Sequence, residues 1–197
     1  MQDFSIVYES FNARCSATGK AGANVKGRRF LRPFSIGVHM IQFFDIDDKY
    51  ATYLRSFDQQ VPYITYAGNN KFVCGIVLSI NGCDYFAPIS SQTKKQQTNM
   101  LIYDKHGNTI SSIKFSYMLP VPASAVTRKD FSLIKATDPS YADLLLEEYS
   151  YCKRHESTIL EKAKKIYAIG CNPSHILNYT CCKFQLLEEK CKDYSKK

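Results

Sequence analysis

The chain has 197 residues, 45% hydrophobic and 22% charged, proportions that exclude a disordered chain and suit one domain with one core, or a domain with an appendage. Its 26 lysines and arginines against 18 aspartates and glutamates leave a net charge of +8, which favours an anionic partner such as nucleic acid and says nothing about fold. No apolar run approaches the ~18 residues of a membrane span, and no secretory leader is apparent, so a cytoplasmic protein in reducing surroundings is expected.

In chain order, residues 1–39 come first. They carry Arg14, Lys20, Lys26, Arg28, Arg29 and Arg32 against Asp3 and Glu9, and their middle, Ser16 to Gly27, is small and polar with no clear period. Met40 is expected to be the natural start of a domain over 40–197, with residues 1–39 an extension that is disordered or not part of the natural protein; a genuine basic arm that touches RNA is the alternative. Ile41 to Asp45 reads as a strand. Asp47 is placed to cap a helix whose stripe is Tyr50, Leu54 and Phe57, ending at Val61-Pro62. Lys71 to Ile80 and Cys83 to Ile89 form a hairpin about Asn81-Gly82, two residues that tolerate positive φ. Met100 to Tyr103 and Ile110 to Phe115 form a second, and Val121 to Val126 reads as a further strand. Asp138-Pro139 starts a helix with Ala142, Leu145, Leu146, Tyr149 and Cys152 on one face. Ile159, Ala163, Ile166 and Tyr167 extend a helical stripe to Gly170, and Phe184, Leu187 and Cys191 mark a last helix. Strands first and helices later is the order of an α+β domain with a largely antiparallel sheet.

The eight cysteines hold no CxxC pair. Cys171, His175, Cys181 and Cys182 are metal-ligand types, but their spacing fits no common zinc site, so packed thiols and no metal are expected. The sequence contains no P-loop, HExxH, GxSxG or GxGxxG. His39, His106, His155 and His175 form no cluster; His106, at a hairpin tip, is the one histidine held in reserve. The segment that stands out is Tyr85-Phe86-Ala87-Pro88-Ile89-Ser90-Ser91-Gln92-Thr93-Lys94-Lys95-Gln96, an apolar strand that ends in hydroxyls, amides and two lysines. Such a strand exit suits a phosphate, although strand ends also carry these residues simply because they face water.

From Met40 onward the chain resembles the ToxN/AbiQ endoribonucleases of type III toxin–antitoxin systems, especially the CptN-like members. The likeness rests on ordered blocks: Phe43-Phe44-Asp45-Ile46 with Tyr50 and Tyr53-Leu54; Phe57-Asp58 and Val61-Pro62; Lys71 to Leu78; Tyr85 to Ser91; Met118-Leu119-Pro120-Val121-Pro122; and Cys182 to Glu188. The resemblance implies a compact single domain with a twisted antiparallel sheet flanked by helices, distantly like the Kid/MazF toxins. It implies sequence-preferring cleavage of cellular RNA without metal or other cofactor. It also implies an RNA antitoxin whose pseudoknot repeats sit in a closed protein–RNA assembly, with neither DNA nor membrane as partner. Ser90 and Ser91 take the places of the family's Thr-Ser pair, and Tyr50 that of a helix tyrosine reaching the site. Where family members write Ser-Pro-Lys, this chain has Ser91-Gln92-Thr93-Lys94; Lys94 is expected to supply the charge, with Thr93 and Lys95 beside it.

In such chemistry the substrate's own 2′-hydroxyl attacks, and donors at the phosphate stabilise the developing charge. Tyr63, Tyr66 and Phe72 are candidates for base stacking, and Lys71, Lys105 and Lys114 for backbone phosphates; core packing and a solvated strand face are the plain alternatives. The residues do not assign a general acid or base. A non-catalytic RNA-binding module with the same basic surface is the alternative reading of the whole chain, and a structural or ribosome-associated protein is a third.

Overall fold

The computed structural model describes residues 41–66, 69–70 and 73–194. The expectations for residues 1–39 lie outside them. Strand β1 (Gln42–Ile46) leads to Asp47, whose carboxylate accepts from the Lys49 amide at 2.7 Å and caps helix α1 (Asp48–Arg55). Tyr50, Ala51 and Leu54 turn inward, as the apolar stripe requires. Phe57 leaves that stripe and is 39% exposed, because α1 stops at Arg55. Strands β2 (Thr65–Tyr66) and β3 (Asn69–Asn70) pair as a small ribbon.

The longest pairing is between β4 (Val73–Ile80) and β5 (Cys83–Ser90), joined by Asn81-Gly82 at φ 54° and 75°. Positive φ at both central residues matches the turn to the strands' right-handed twist. The ladder shifts register between Gly75 and Leu78. A side chain at Gly75 would run into the Phe86 ring, so this close approach requires glycine. A second hairpin joins β6 (Asn99–Tyr103) to β7 (Thr109–Lys114).

Short strands β8 (Leu119–Pro120) and β9 (Val126–Arg128) complete the sheet. This differs from the single strand expected over Val121 to Val126. Pro120 and Pro122 lack an N–H for a ladder, and Ala123–Ala125 forms a 3₁₀ turn between the two short pairings. Among the described residues the order is β6-β7-β5-β4-β1-β9, every neighbour antiparallel, with β8 also on β5. β5 therefore divides one edge between two partners: Tyr85 and Phe86 pair with β8, Ile89 and Ser90 with β7.

Helices α2 (Phe131–Thr137), α3 (Pro139–Arg154), α4 (Glu156–Gly170) and α5 (Phe184–Tyr194) follow. Asp138 caps α3 by accepting from the Tyr141 amide, with Pro139 in the first turn. Ala142, Leu145 and Cys152 are buried as the stripe predicts, whereas Leu146 is exposed. α3 lies against β6, α4 against β4, and α5 against β5 and β8. α5 is also anchored by polar groups. Tyr85 and Tyr167 both donate to Glu188 Oε1, at 2.8 and 2.7 Å, and the Asn81 amide donates to Oε2 at 3.0 Å. A buried carboxylate with all these partners is tolerated where a lone one is not. The expected α+β class, with an antiparallel sheet flanked by helices, is what the chain forms. None of the described helices is long and apolar enough to cross a membrane.

Candidate active site

The chain leaves the sheet at Ser90, which pairs with Ser112 on β7. From Ser91 to Gln97 it has no regular structure and every side chain is exposed. Its backbone is nonetheless held from beneath. The Gln92 amide donates to Ser90 Oγ at 3.3 Å, and Ser112 Oγ donates to the Gln92 carbonyl at 2.6 Å. The buried Asn99 accepts from the Gln96 amide at 2.8 Å and donates to the Lys94 carbonyl at 2.9 Å. Lys114, 5% exposed, donates from Nζ to Gln92 Oε1 at 3.0 Å and Gln96 Oε1 at 3.3 Å. Removal from water holds the Lys114 ammonium below its ordinary range. The result is a loop with a fixed backbone and a solvent-facing set of Ser91, Thr93, Lys94 and Lys95.

Among the described residues neither Lys94 nor Lys95 takes part in an ion pair. The loop's positive charge is reinforced from α4. The Lys162 ammonium is held low first by partial burial and then by the like charges of Lys165 and Lys95. The arrangement offers an anion several cations, hydroxyls and a rigid support, the elements needed to stabilise charge on a phosphate.

Several expected site residues fall elsewhere. Tyr50 lies apart from the loop. It is fully buried, its ring packs edge-on against Tyr194 at 4.8 Å, and its hydroxyl donates to the Pro120 carbonyl at 2.6 Å. Pro120 pairs with Tyr85, and Ser90 is five residues farther along β5, roughly 17 Å on the rise of a strand. Burial pushes the Tyr50 phenol well above its ordinary range, which suits a core donor and not a proton carrier. Lys114 faces inward beneath the loop instead of presenting its charge to solvent. Lys105 and His106 sit on the β6–β7 turn, the end of that hairpin away from Asn99 and Lys114, so they are separated from the loop by the hairpin's length. Tyr63 is exposed, with the Arg55 guanidinium 3.8 Å from its ring centroid. Tyr66 is described by its backbone alone, and Lys71 and Phe72 lie outside the described residues.

Of the other histidines, His155 stacks on Tyr151 and His175 accepts from the Leu177 amide. Among the described residues no three His, Cys, Asp or Glu side chains are gathered as metal ligands are. The supporting residues Asn99, Ser112 and Lys114 carry no motif. The available signal was polarity on a strand pairing beside the core: Ser111-Ser112 and Lys114 flank Ile113, which is fully buried.

Residues 42–192 match the family described as toxin ToxN of type III toxin–antitoxin systems. The endoribonuclease ToxN of Bacillus thuringiensis subsp. kurstaki is 31% identical over 165 residues, covering 79% of this chain and 85% of that protein. A solved structure concerned with selective toxin inhibition by a non-coding RNA pseudoknot aligns with a TM-score of 0.75 at 31% identity, over 80% of this chain and 99% of that one. A second, of the lactococcal anti-phage endoribonuclease AbiQ, aligns with a TM-score of 0.72 at 26% identity, over 80% and 99%. With a family match over residues 42–192 and a relative 31% identical over most of both chains, this chain belongs to the ToxN family of toxins from type III toxin–antitoxin systems.

Proposed function

We propose that this chain is a cytoplasmic endoribonuclease toxin that cleaves cellular RNA without metal and is held inactive by an RNA antitoxin of pseudoknot repeats. The observation that carries the reading is the loop after β5: exposed Ser91, Thr93, Lys94 and Lys95 on a backbone held by Ser112 and Asn99, with the Gln92 and Gln96 side chains tied to Lys114. Relatives of similar length named as endoribonucleases support the same activity here. The ribose 2′-hydroxyl next to the scissile phosphate attacks phosphorus, and the 5′-oxygen of the following nucleotide leaves. Negative charge grows on the non-bridging oxygens as the fifth bond forms. Lys94 supplies the compensating charge, Ser90 and Ser91 supply hydroxyl donors, and Thr93 and Lys95 hold the flanking backbone. Because the backbone carrying these donors is held by Ser112 and Asn99, less of the loop has to reorganise during the reaction.

The test is cleavage of a mixed-sequence RNA by the wild type and by Lys94→Ala and Ser91→Ala variants. Each variant is expected to lose roughly 10²- to 10³-fold in rate while still binding the antitoxin RNA. Wild-type products should carry 2′,3′-cyclic phosphate and 5′-hydroxyl ends, with EDTA making no difference. Ends bearing 3′-hydroxyl and 5′-phosphate, or a wild type that binds RNA and never cuts it, refute the proposal; the latter outcome would favour a binding module.

A further inference from the structure

Beside the loop lies a cleft of about 310 Å³ that the phosphate chemistry leaves unused. Three segments distant in sequence form it: Gln96, Gln97 and Thr98 from the end of the loop, Tyr117 from the turn after β7, and Leu177 and Thr180 from the segment before α5. Backbone bonds hold the three together. The Phe115 amide donates to the Thr98 carbonyl at 3.1 Å, and the Cys182 amide donates to the Ser116 carbonyl at 2.9 Å. Thr180 Oγ1 donates to the Leu177 carbonyl at 2.7 Å, fixing the far wall.

The lining has two chemical characters. Tyr117 is 37% exposed, so its ring presents an aromatic surface, and Leu177 adds an apolar side. Against these stand two amides. Gln96 is already oriented through Lys114, whereas the Gln97 side chain makes no hydrogen bond among the described residues and keeps its donors and acceptor available. An aromatic side chain and a free amide lining one cleft suit an unpaired nucleobase, with the ring stacking on the base and the amide bonding its edge. The cleft's size suits a small planar group, and polar side chains are part of its lining, as in a ligand site.

We propose that this cleft takes one unpaired nucleobase of the RNA whose phosphate lies on Ser91 to Lys95, with Tyr117 stacking on the base and Gln97 reading its edge. The site therefore sets which nucleotide is accepted beside the cut. This rests on the RNA-cleaving reading of the loop, and adds the specificity-determining residues to it. Stacking tolerates every base, so Tyr117 contributes affinity. The amide distinguishes bases, so Gln97 contributes choice.

The experiment uses the full chain and two readouts. Binding is measured with short 2′-O-methyl homopolymers of A, C, G and U, which cannot be cut by 2′-hydroxyl attack. Cut sites are mapped on a mixed-sequence RNA. Tyr117→Ala is expected to weaken the preferred homopolymer by roughly 5- to 100-fold, the range for loss of one stacked base, while Tyr117→Phe binds like the wild type. Gln97→Ala is expected to narrow the differences among the four homopolymers and relax the mapped preference at one position; Gln97 is exposed, so the fold is retained. If Tyr117→Ala and Gln97→Ala keep the wild-type affinities and cut sites, the pocket is refuted and the cleavage reading stands. If base-dependent binding is flattened by these variants although the wild type never cuts, the pocket stands and the cleavage reading falls.

Discussion

Replacing Lys114 by methionine separates the loop's support from its chemistry. The change removes two hydrogen bonds from an ammonium, at 3.0 and 3.3 Å. Bonds to a charged group contribute about 1.5–3 kcal/mol each when the partner is otherwise stranded. Here the acceptors, Gln92 and Gln96, are exposed and regain water. The lysine itself is 5% exposed, so removing its ammonium also relieves a desolvation cost. These effects offset, and the global stability of Lys114→Met should change by no more than about 1 kcal/mol. The loop, however, loses the bridge between its two ends, leaving Ser112 and Asn99 to hold it. A misplacement near 1 Å costs roughly 10²-fold in rate, or about 2.7 kcal/mol in the barrier. With two supports remaining, kcat should fall by roughly 10- to 100-fold. The assay pairs cleavage kinetics on a fluorogenic RNA with thermal unfolding of the same preparation. A variant that cuts at the wild-type rate, or one whose activity falls only as it unfolds, refutes the reasoning.

The remaining expectations test other parts of the structure. Tyr50→Phe removes a buried donor to Pro120, so thermal unfolding should show a loss of about 1–3 kcal/mol, while the cleavage rate per folded molecule stays at the wild-type value. Burial raises the Glu148 carboxyl from an ordinary 4.5 to about 7, and its Oε2 has no hydrogen-bond partner among the described residues. The folded state thus holds the proton more tightly than the unfolded state. The stability this contributes is fully present below about pH 4.5 and is lost as pH rises through about 7, by about 3 kcal/mol. Urea unfolding across that range should show the slope, and Glu148→Gln should abolish it; parallel profiles for the two proteins contradict the assignment. Lys162→Gln combined with Lys165→Gln should weaken RNA binding across sequences and lower the salt dependence by about one unit of slope for each phosphate no longer neutralised; unchanged affinity at low salt argues that α4 does not meet the RNA.

Local chemistry made most of the fold readable. Asn81-Gly82, Asp47 and Asp138-Pro139 each determine backbone geometry within a few residues, and the elements beside them start where expected, although α1 ends at Arg55 and not at Val61-Pro62. The short pairings of β8 and β9 were not readable, since two prolines and a 3₁₀ turn divide a run that looks continuous by hydrophobicity. α2 is missed for a related reason: it spans only Phe131–Thr137, buries no side chain fully and depends on its Asp130 cap. The loop was visible as an abrupt change from apolar to polar residues. Its support was not, because Ser112, Lys114 and Asn99 reach it through tertiary pairing. A tyrosine on an amphipathic helix likewise gives no sign of whether its hydroxyl meets solvent or a backbone carbonyl. For Tyr50 the partner is 70 residues away.

The polar cluster on α5 bears on the order in which the molecule is completed. The β4–β5 hairpin emerges from the ribosome about a hundred residues before Glu188, as the separations of 107 and 103 residues from Asn81 and Tyr85 require. Until α5 arrives, those two groups lack their shared acceptor, and Tyr50 lacks the ring of Tyr194. Nascent or prematurely terminated chains therefore leave the Asn81 turn, Tyr85 and Tyr50 without their partners on α5.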